Sequence, residues 1–161
     1  MQRHLLAILL LLPLLGCDQQ RQQRTAQTTP STPPMVQSAV SVLRDPRTTR
    51  VEVFWVPKEV ATRTRLTPQL LEDIRNRKMN DSGFQGSELQ RSLIQALQQA
   101  DIQPGSDPGD LRWACIFHGA GNIRVLSIYF DGYGRKGLIQ GTPVTSNGEV
   151  VAALEREFGI R

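Results

Sequence analysis

Residues 111–134 read LRWACIFHGAGNIRVLSIYFDGYG, and they set the sheet of this protein. Apolar or aromatic residues recur at every second position of the first part, at Leu111, Trp113, Cys115 and Phe117. This period of two predicts a β-strand with those side chains on one face. Residues 123–130 predict a second strand, and the glycines of 119–122 predict a hairpin turn between the two. The two strands are therefore expected to lie antiparallel.

The segments on either side extend this sheet. Residues 131–134 predict another turn, because glycine adopts positive φ without strain. Residues 137–141 predict a short third strand of the same meander. Upstream, the β-branched and aromatic residues 51–56 predict one more strand, which Pro57 ends. We expect this strand to pair with an edge of the meander.

Three helices are predicted from their starts and their apolar spacing. Thr67 and Pro68 supply a capping hydroxyl and a proline at the first helical position. Ser87 with Gln90, and Ser146 with Glu149, have the spacing of capping boxes. Apolar residues then recur at helical spacing in three groups: Leu70, Leu71 and Ile74; Leu89, Leu93, Ile94, Leu97 and Ala100; Val150, Val151, Leu154 and Phe158, before Gly159. Together these elements predict an α+β two-layer sandwich, with a mainly antiparallel sheet of about four strands and the helices on one face.

The N-terminus has the pattern of an export signal. A basic start, residues 1–4, precedes an apolar run, residues 5–15, that is shorter than the roughly 20 residues needed to cross a bilayer. The run ends in Leu14-Leu15-Gly16-Cys17, which resembles the lipobox of bacterial lipoproteins. This resemblance covers residues 1–17 only. It implies cleavage between Gly16 and Cys17 and acylation of Cys17, with a palmitate-type lipid anchor in the membrane.

The resemblance divides the chain into three expected parts: a signal peptide at 1–16, a lipidated and disordered tether at 17–47, and one globular domain at 48–161. The tether is predicted from its Gln, Thr, Ser and Pro content. A short apolar patch within it, residues 36–43, is expected to dock or to form a brief helix. Asp18 resembles the residue that retains enterobacterial lipoproteins in the inner membrane, so this membrane is favoured and the outer one stays open.

Composition narrows the possible partners. Cys17 and Cys115 are the only cysteines, so acylation of the first leaves no intramolecular disulfide in the periplasm. The formal charge is +4, and much of it lies in the signal and the tether. The domain is then nearly neutral, and we expect no nucleic-acid partner.

No motif in the sequence carries chemistry. Cys115 and His118 are candidates for a nucleophile and its base, but positions three apart on a strand point to opposite faces unless a bulge separates them. The mature chain has one histidine and no metal-ligand spacing, so we predict neither a metal nor another cofactor. The expectation is a protein that is not an enzyme.

With no catalytic motif, the remaining source of function is a surface that binds a partner. The strand 123–130 is apolar on both sides, so Val125 and Tyr129, together with Trp55, are expected on a sheet face left open by the helices. The alternative is that the tether or the first helix covers this face. Cationic side chains form a second candidate surface, at Lys58, Arg63, Arg65, Arg75, Arg77 and Lys78. The loop 105–109 and the turn 132–134, with Tyr133, are candidates for insertion into a partner.

We therefore expect a membrane-anchored periplasmic protein-binding module. One specific form is an immunity or inhibitor protein against a toxin or a cell-wall hydrolase. Two alternatives stay open: a structural accessory lipoprotein of an envelope or secretion complex, and a small periplasmic enzyme or ligand carrier.

Overall fold

The computed structural model describes residues 32–73, 77–80 and 83–160, which belong to one compact unit. Four helices and seven strands are formed by these residues. The helices are α1 Pro34–Arg44, α2 Pro68–Glu72, α3 Glu88–Gln99 and α4 Glu149–Phe158. The strands are β1 Arg50–Trp55, β2 Arg77–Asn80, β3 Gln103–Pro104, β4 Leu111–His118, β5 Arg124–Asp131, β6 Lys136–Ile139 and β7 Thr142–Thr145.

All seven strands form one antiparallel sheet in the order β2-β1-β4-β5-β6-β7-β3. The predicted α+β sandwich class is confirmed, and β4, β5 and β6 are the predicted meander. Three short strands were not predicted. β3 and β7 contain Pro104 and Pro143, and β2 is a polar segment, so none of them has the alternating pattern that indicates a strand.

The main core lies between the sheet and three helices, α1, α3 and α4. Val53, Cys115, Ile128 and other residues of matching parity on the strands point into it. Leu93 and Leu97 of α3 are almost completely buried there. Phe117 packs on Phe84, with ring centroids 5.5 Å apart. We call this side of the sheet the helix side.

The folded domain begins earlier than residue 48, where the sequence placed its boundary. Residues 34–44 form α1, and Val36, Ala39, Val40 and Leu43 are buried on the helix side. These positions have the i, i+3, i+4, i+7 spacing of an amphipathic helix. Pro34 is compatible with this helix because it lies in the first turn, where its missing N–H is not needed. The brief helix expected over the apolar patch 36–43 is therefore found, but it packs as part of the domain, whereas the sequence assigned it to a disordered tether.

The helix ends confirm two of the predicted caps and correct the third. The Thr67 hydroxyl accepts from the Leu70 amide, and the Ser87 hydroxyl accepts from the Gln90 amide. The capping box Ser146–Glu149 is not formed. Gly148 caps α4 instead, at φ 96°, a left-handed conformation that glycine adopts without strain. Gly159 ends α4 as predicted, also in the left-handed region.

The second face of the sheet is covered as well. Residues 56–73, which include α2, cross it, and Leu66 and Leu71 pack on it. The core there is smaller and contains Phe54, Val56, Leu111, Ala114, Ile116, Tyr129 and Leu138. Leu111 was expected on the side of Trp113, but an irregularity between the two residues in the β4–β5 pairing places it on the opposite face. The sequence left two possibilities for this face, open or covered by the tether or by the first predicted helix. The structure shows it covered by that helix, α2.

Candidate functional site: a loop surface at one end of the sheet

Three connecting segments meet at one end of the sheet. They are 57–66, between β1 and α2; 105–110, before β4; and 131–135, between β5 and β6. A Cβ atom on Gly132 would lie 3.0 Å from the Lys58 Cβ, and one on Gly109 would lie 3.4 Å from the Asp131 Cβ, which shows how closely the segments approach. We call the exposed side of these three segments the loop surface.

Arg112 holds the first of these segments against the sheet. The residue lies in β4 and is only 8% exposed. The guanidinium donates to the carbonyl oxygen of Val60 at 2.8 Å, to the hydroxyl of Thr62 at 3.3 Å, and to the carboxylate of Asp110 at 2.6 Å. A buried charge is costly unless its hydrogen bonds are satisfied, and here they fix a loop that is otherwise solvent-facing.

The base of the same segment is tied to the segment before β4. The Leu66 amide donates to the Asp110 carboxylate at 2.7 Å. Arg65 donates to the carbonyl oxygen of Gly109 at 2.6 Å and pairs with Asp107. The adjacent guanidinium of Arg65, with a hydrogen bond from the Gly109 amide, lowers the pKa of the Asp107 carboxyl. Segments 57–66 and 105–110 therefore form one connected structure.

Side chains that face solvent lie above this framework. Tyr133 is 69% exposed and Val60 is 47% exposed. The ammonium of Lys58 lies 5.5 Å from the centre of the Tyr133 ring, within the range of a cation–π contact. Lys58, Arg63 and Arg135 form no ion pair with any residue that the structure describes. The loop surface thus combines an aromatic ring, an aliphatic side chain and several available cations.

The structure gathers four of the six predicted binding residues at this end of the sheet. Arg63 and Arg65 lie on segment 57–66, and Tyr133 is exposed on the neighbouring turn. Trp55 ends β1 close by, half-buried, with its ring 6.4 Å from that of Trp113. Trp55 packs against the helix-side core.

The other two predicted residues lie elsewhere. Tyr129 is 4% exposed, and its hydroxyl donates to the Glu72 carboxylate in α2, which also pairs with Arg124. Burial, together with the adjacent Glu72 carboxylate, raises the pKa of Tyr129 to about 12. Val125 is half-buried and packs against the core beside Gly119, toward the far end of β5. The expected open face with Tyr129 on it is wrong, because the segment 56–73 lies over it.

Cys115 and His118 do not form a reactive pair. Cys115 is buried in the helix-side core, and this burial raises the pKa of its thiol to about 12. His118 lies beside Glu52, with its Nε2 3.8 Å from the Glu52 carboxylate, and its Nδ1 is 3.4 Å from the Asn122 carbonyl oxygen. Glu52 alternates in β1 with Val51 and Val53 of the helix side, so it belongs to the other face.

Sequence reasoning missed the residues that brace the site. The sequence does mark Arg112 as unusual, because it is a charged residue between the apolar Leu111 and Trp113 of a predicted strand. Nothing in the sequence marks Asp107 and Asp110 as unusual, because aspartate is common in loops rich in Gly and Pro. The cationic positions Arg75, Arg77 and Lys78 have side chains outside the described residues. Gly16, Cys17 and Asp18 lie wholly outside the described residues.

Within the described ranges, no group of three or more His, Cys, Asp or Glu side chains is arranged to hold a metal ion. None of the helices in the described part of the chain has the length and apolar character needed to cross a membrane. Comparison with known proteins gives no match to a family model, to a curated protein or to a solved structure.

Proposed function

We propose that this chain is a membrane-anchored periplasmic lipoprotein that acts as a non-enzymatic protein-binding module. The anchor is the acylated Cys17, on the resemblance of residues 14–17 to a lipobox. The binding site is the loop surface. The observation that supports it best is the buried Arg112, whose hydrogen bonds to Val60 and Thr62 hold an exposed loop in one shape.

Such bracing favours binding for a thermodynamic reason. A loop that is ordered before contact loses less conformational entropy when a partner arrives, so more of the contact energy appears as affinity. Tyrosine and arginine are the side chains most often found as energetic centres of protein interfaces, and Tyr133 and Arg63 stand exposed here. Val60 adds exposed apolar area to the loop surface.

An immunity or inhibitor protein is the specific form we favour. An inhibitor needs a rigid surface that fits a partner, and the hydrogen bonds of Arg112 hold segment 57–66 in one shape. Its target would be a toxin or a cell-wall hydrolase acting in the periplasm. This choice rests on the fixed shape of the loop, the small size of the domain and the expected periplasmic location.

The experiment is a capture assay with the acylated protein in membranes from its native cells. Tyr133→Ala and Arg63→Ala are compared with Ile123→Ala as a matched control, because Ile123 is 67% exposed at the opposite end of β5. We expect both loop-surface variants to lose at least ten-fold in capture of the partner, equivalent to about 1.4 kcal/mol, and the control to lose nothing. Equal capture by all variants would show that the loop surface is not the binding site.

A further inference from the structure

One buried histidine lies at the end of the sheet opposite the loop surface. His118 is the last residue of β4 and is only 8% exposed. Its ring nitrogen Nδ1 is 3.4 Å from the Asn122 carbonyl oxygen, in the turn between β4 and β5. Its Nε2 is 3.8 Å from the Glu52 carboxylate on β1. This Nε2 atom is buried and forms no hydrogen bond with any residue that the structure describes. The ring therefore lies between the turn and β1.

Both oxygen atoms that face the ring are hydrogen-bond acceptors. A neutral imidazole carries one N–H and one lone pair, so either tautomer directs its lone pair at an oxygen. The imidazolium has an N–H on each nitrogen and can donate to the Asn122 carbonyl oxygen and the Glu52 carboxylate together. A buried polar atom without a partner costs free energy, and a hydrogen bond between charged groups is stronger than one between neutral groups. The geometry thus suits the protonated ring and leaves the neutral ring incompletely satisfied.

Charged side chains on the neighbouring strands act on His118 in both directions. In the strand pairing, Arg50 of β1 and Arg124 of β5 lie on either side of His118, and both disfavour a positive ring. Each arginine is offset by a carboxylate, because Arg50 pairs with Glu52 and Arg124 pairs with Glu72 of α2. These four charges sum to zero. The Glu52 carboxylate is therefore the group whose contact with the ring favours protonation.

Two further segments lie close to this contact. On β2, the residue opposite Glu52 is Met79, which is uncharged, and Arg77 is opposite Phe54, farther from His118 along the strands. In the segment before β1, Asp45 and Arg47 pair with each other. Neither segment places an unbalanced charge next to the ring among the side chains that the structure describes.

We propose that His118 forms a pH-sensitive contact that fastens the turn 119–123 to β1. When the ring binds a second proton, Nδ1 donates to Asn122 and Nε2 donates to Glu52. When Nε2 releases its proton to solvent, the contact with Glu52 is lost, and the turn, which carries the exposed Ile123, is held less firmly. This inference goes beyond the proposed function and needs neither the lipid anchor nor the loop surface.

The direction of the effect follows from where the proton is bound. Histidine changes its charge between about pH 5 and 8. The folded protein gains the contact with Glu52 only when the ring carries both protons. The stability from this source is therefore present at the acidic end of that range and is lost as the pH rises.

The wild-type protein tests the protonation step by nuclear magnetic resonance of the full chain in a mild detergent. At about pH 5 we expect both ring nitrogens of His118 to show the chemical shift of a protonated nitrogen. The Gly119 and Asn122 amides, which donate within the turn, should be protected several-fold more at this pH than at about pH 8, after correction for intrinsic exchange rates. A bare ring nitrogen at the lower pH, or equal protection at both, would overturn the proposal.

A double-mutant cycle tests whether Glu52 is the partner. Urea unfolding of the full chain is compared for wild type, Glu52→Gln, His118→Gln and the double variant at the same two pH values. We expect a coupling of about five-fold in the unfolding constant at the lower pH and of less than about two-fold at the higher. A control cycle uses Glu72→Gln in place of Glu52→Gln, because Glu72 is a carboxylate on the same side of the sheet that pairs with Arg124.

The control cycle should show a coupling below about two-fold at both pH values. Equal coupling of Glu52 and His118 at both pH values, a larger coupling at the higher pH, or an equal response in the control cycle would overturn the pH-sensitive contact. If a variant fails to fold, the two wild-type measurements decide the proposal alone.

Discussion

The two faces of the sheet are built differently. The helix side is an apolar core formed by strands, α1, α3 and α4. The second face has a thin cover, residues 56–73, held partly by apolar contacts of Leu66 and Leu71 and partly by charged side chains. The polar contacts that hold this cover are the hydrogen bonds of Arg112, Asp110 and Glu72. The difference indicates that the helix side supplies stability, whereas the second face shapes the loop surface.

Removal of α1 is expected to have the largest effect. A fragment 48–161 lacks the buried Val36, Val40 and Leu43, each of which contributes about 1.5–3 kcal/mol. Their sum is a large part of the stability of a small domain, about 5–15 kcal/mol. Circular dichroism should show cooperative melting for 32–161 and none for 48–161. A cooperative transition in the shorter fragment would mean that α1 is dispensable and that the folded domain starts where the sequence placed it.

Equivalent substitutions on the two faces should differ in size. Leu93→Ala opens a cavity on the helix side and should lower the free energy of unfolding by about 3–5 kcal/mol. Leu71→Ala should lower it by about 2 kcal/mol, because a short helix in a thin cover can shift into the space. Urea unfolding measures both values. Equal losses would show that the cover is packed as firmly as the helix side.

Loss of the Arg112 brace should have an intermediate effect. Arg112→Met removes the donors to one carboxylate oxygen of Asp110 and to the Val60 carbonyl oxygen, and should reduce stability by about 1–3 kcal/mol. Arg65→Met is the control, since the Arg65–Asp107 pair is about half-exposed and such pairs contribute about 0–1 kcal/mol. If the control loses as much as Arg112→Met, burial of Arg112 is not what strengthens the brace.

Alkaline pH should weaken the fold gradually. The raised pKa values of Cys115 and Tyr129, both about 12, mean that the unfolded chain releases these protons at lower pH than the folded chain does. Stability from this source is complete below pH 9 and is lost as the pH rises toward 12. Cys115→Ala with Tyr129→Phe should flatten the slope of unfolding free energy against pH between 9 and 12. An unchanged slope would assign the weakening to other groups.

Exposed residues of the loop surface should matter least for stability. Tyr133→Ala should change the free energy of unfolding by no more than about 0.5 kcal/mol, because the side chain is mostly in solvent. Thermal melting checks this value. A larger loss would give Tyr133 a structural role, and the binding assays with its variants would need a different position.

Local patterns were enough to predict the class of fold. The alternation in β4, the turn at 131–134 and the caps at Thr67 and Ser87 each depend on neighbours in sequence, and the structure confirms them. Contacts between distant segments were not predictable. The cover over Tyr129 depends on the contact between Glu72 of α2 and Tyr129 of β5. The hydrogen bonds of Arg112 likewise depend on loop residues about fifty positions away in the sequence.

The candidate site was predicted only in part, for the same reason. Tyr133, Arg63 and the loop 105–109 were candidates because of residue type and turn composition. Their meeting at one end of the sheet follows from the strand order, which the sequence does not specify. Val125 and Tyr129 were assigned to an exposed face because a two-sided apolar strand can be open or covered, and only the tertiary structure distinguishes these cases.

The most direct measurement of the bracing of segment 57–66 is hydrogen exchange at individual amides. The Val60 amide donates to the Pro57 carbonyl oxygen, and the Leu66 amide donates to Asp110. We predict that both amides are protected in the wild type and that Arg112→Met removes this protection while the amides of α3 stay protected. Fast exchange at Val60 and Leu66 in the wild type, or unchanged protection in Arg112→Met, would contradict a loop surface held ready for binding.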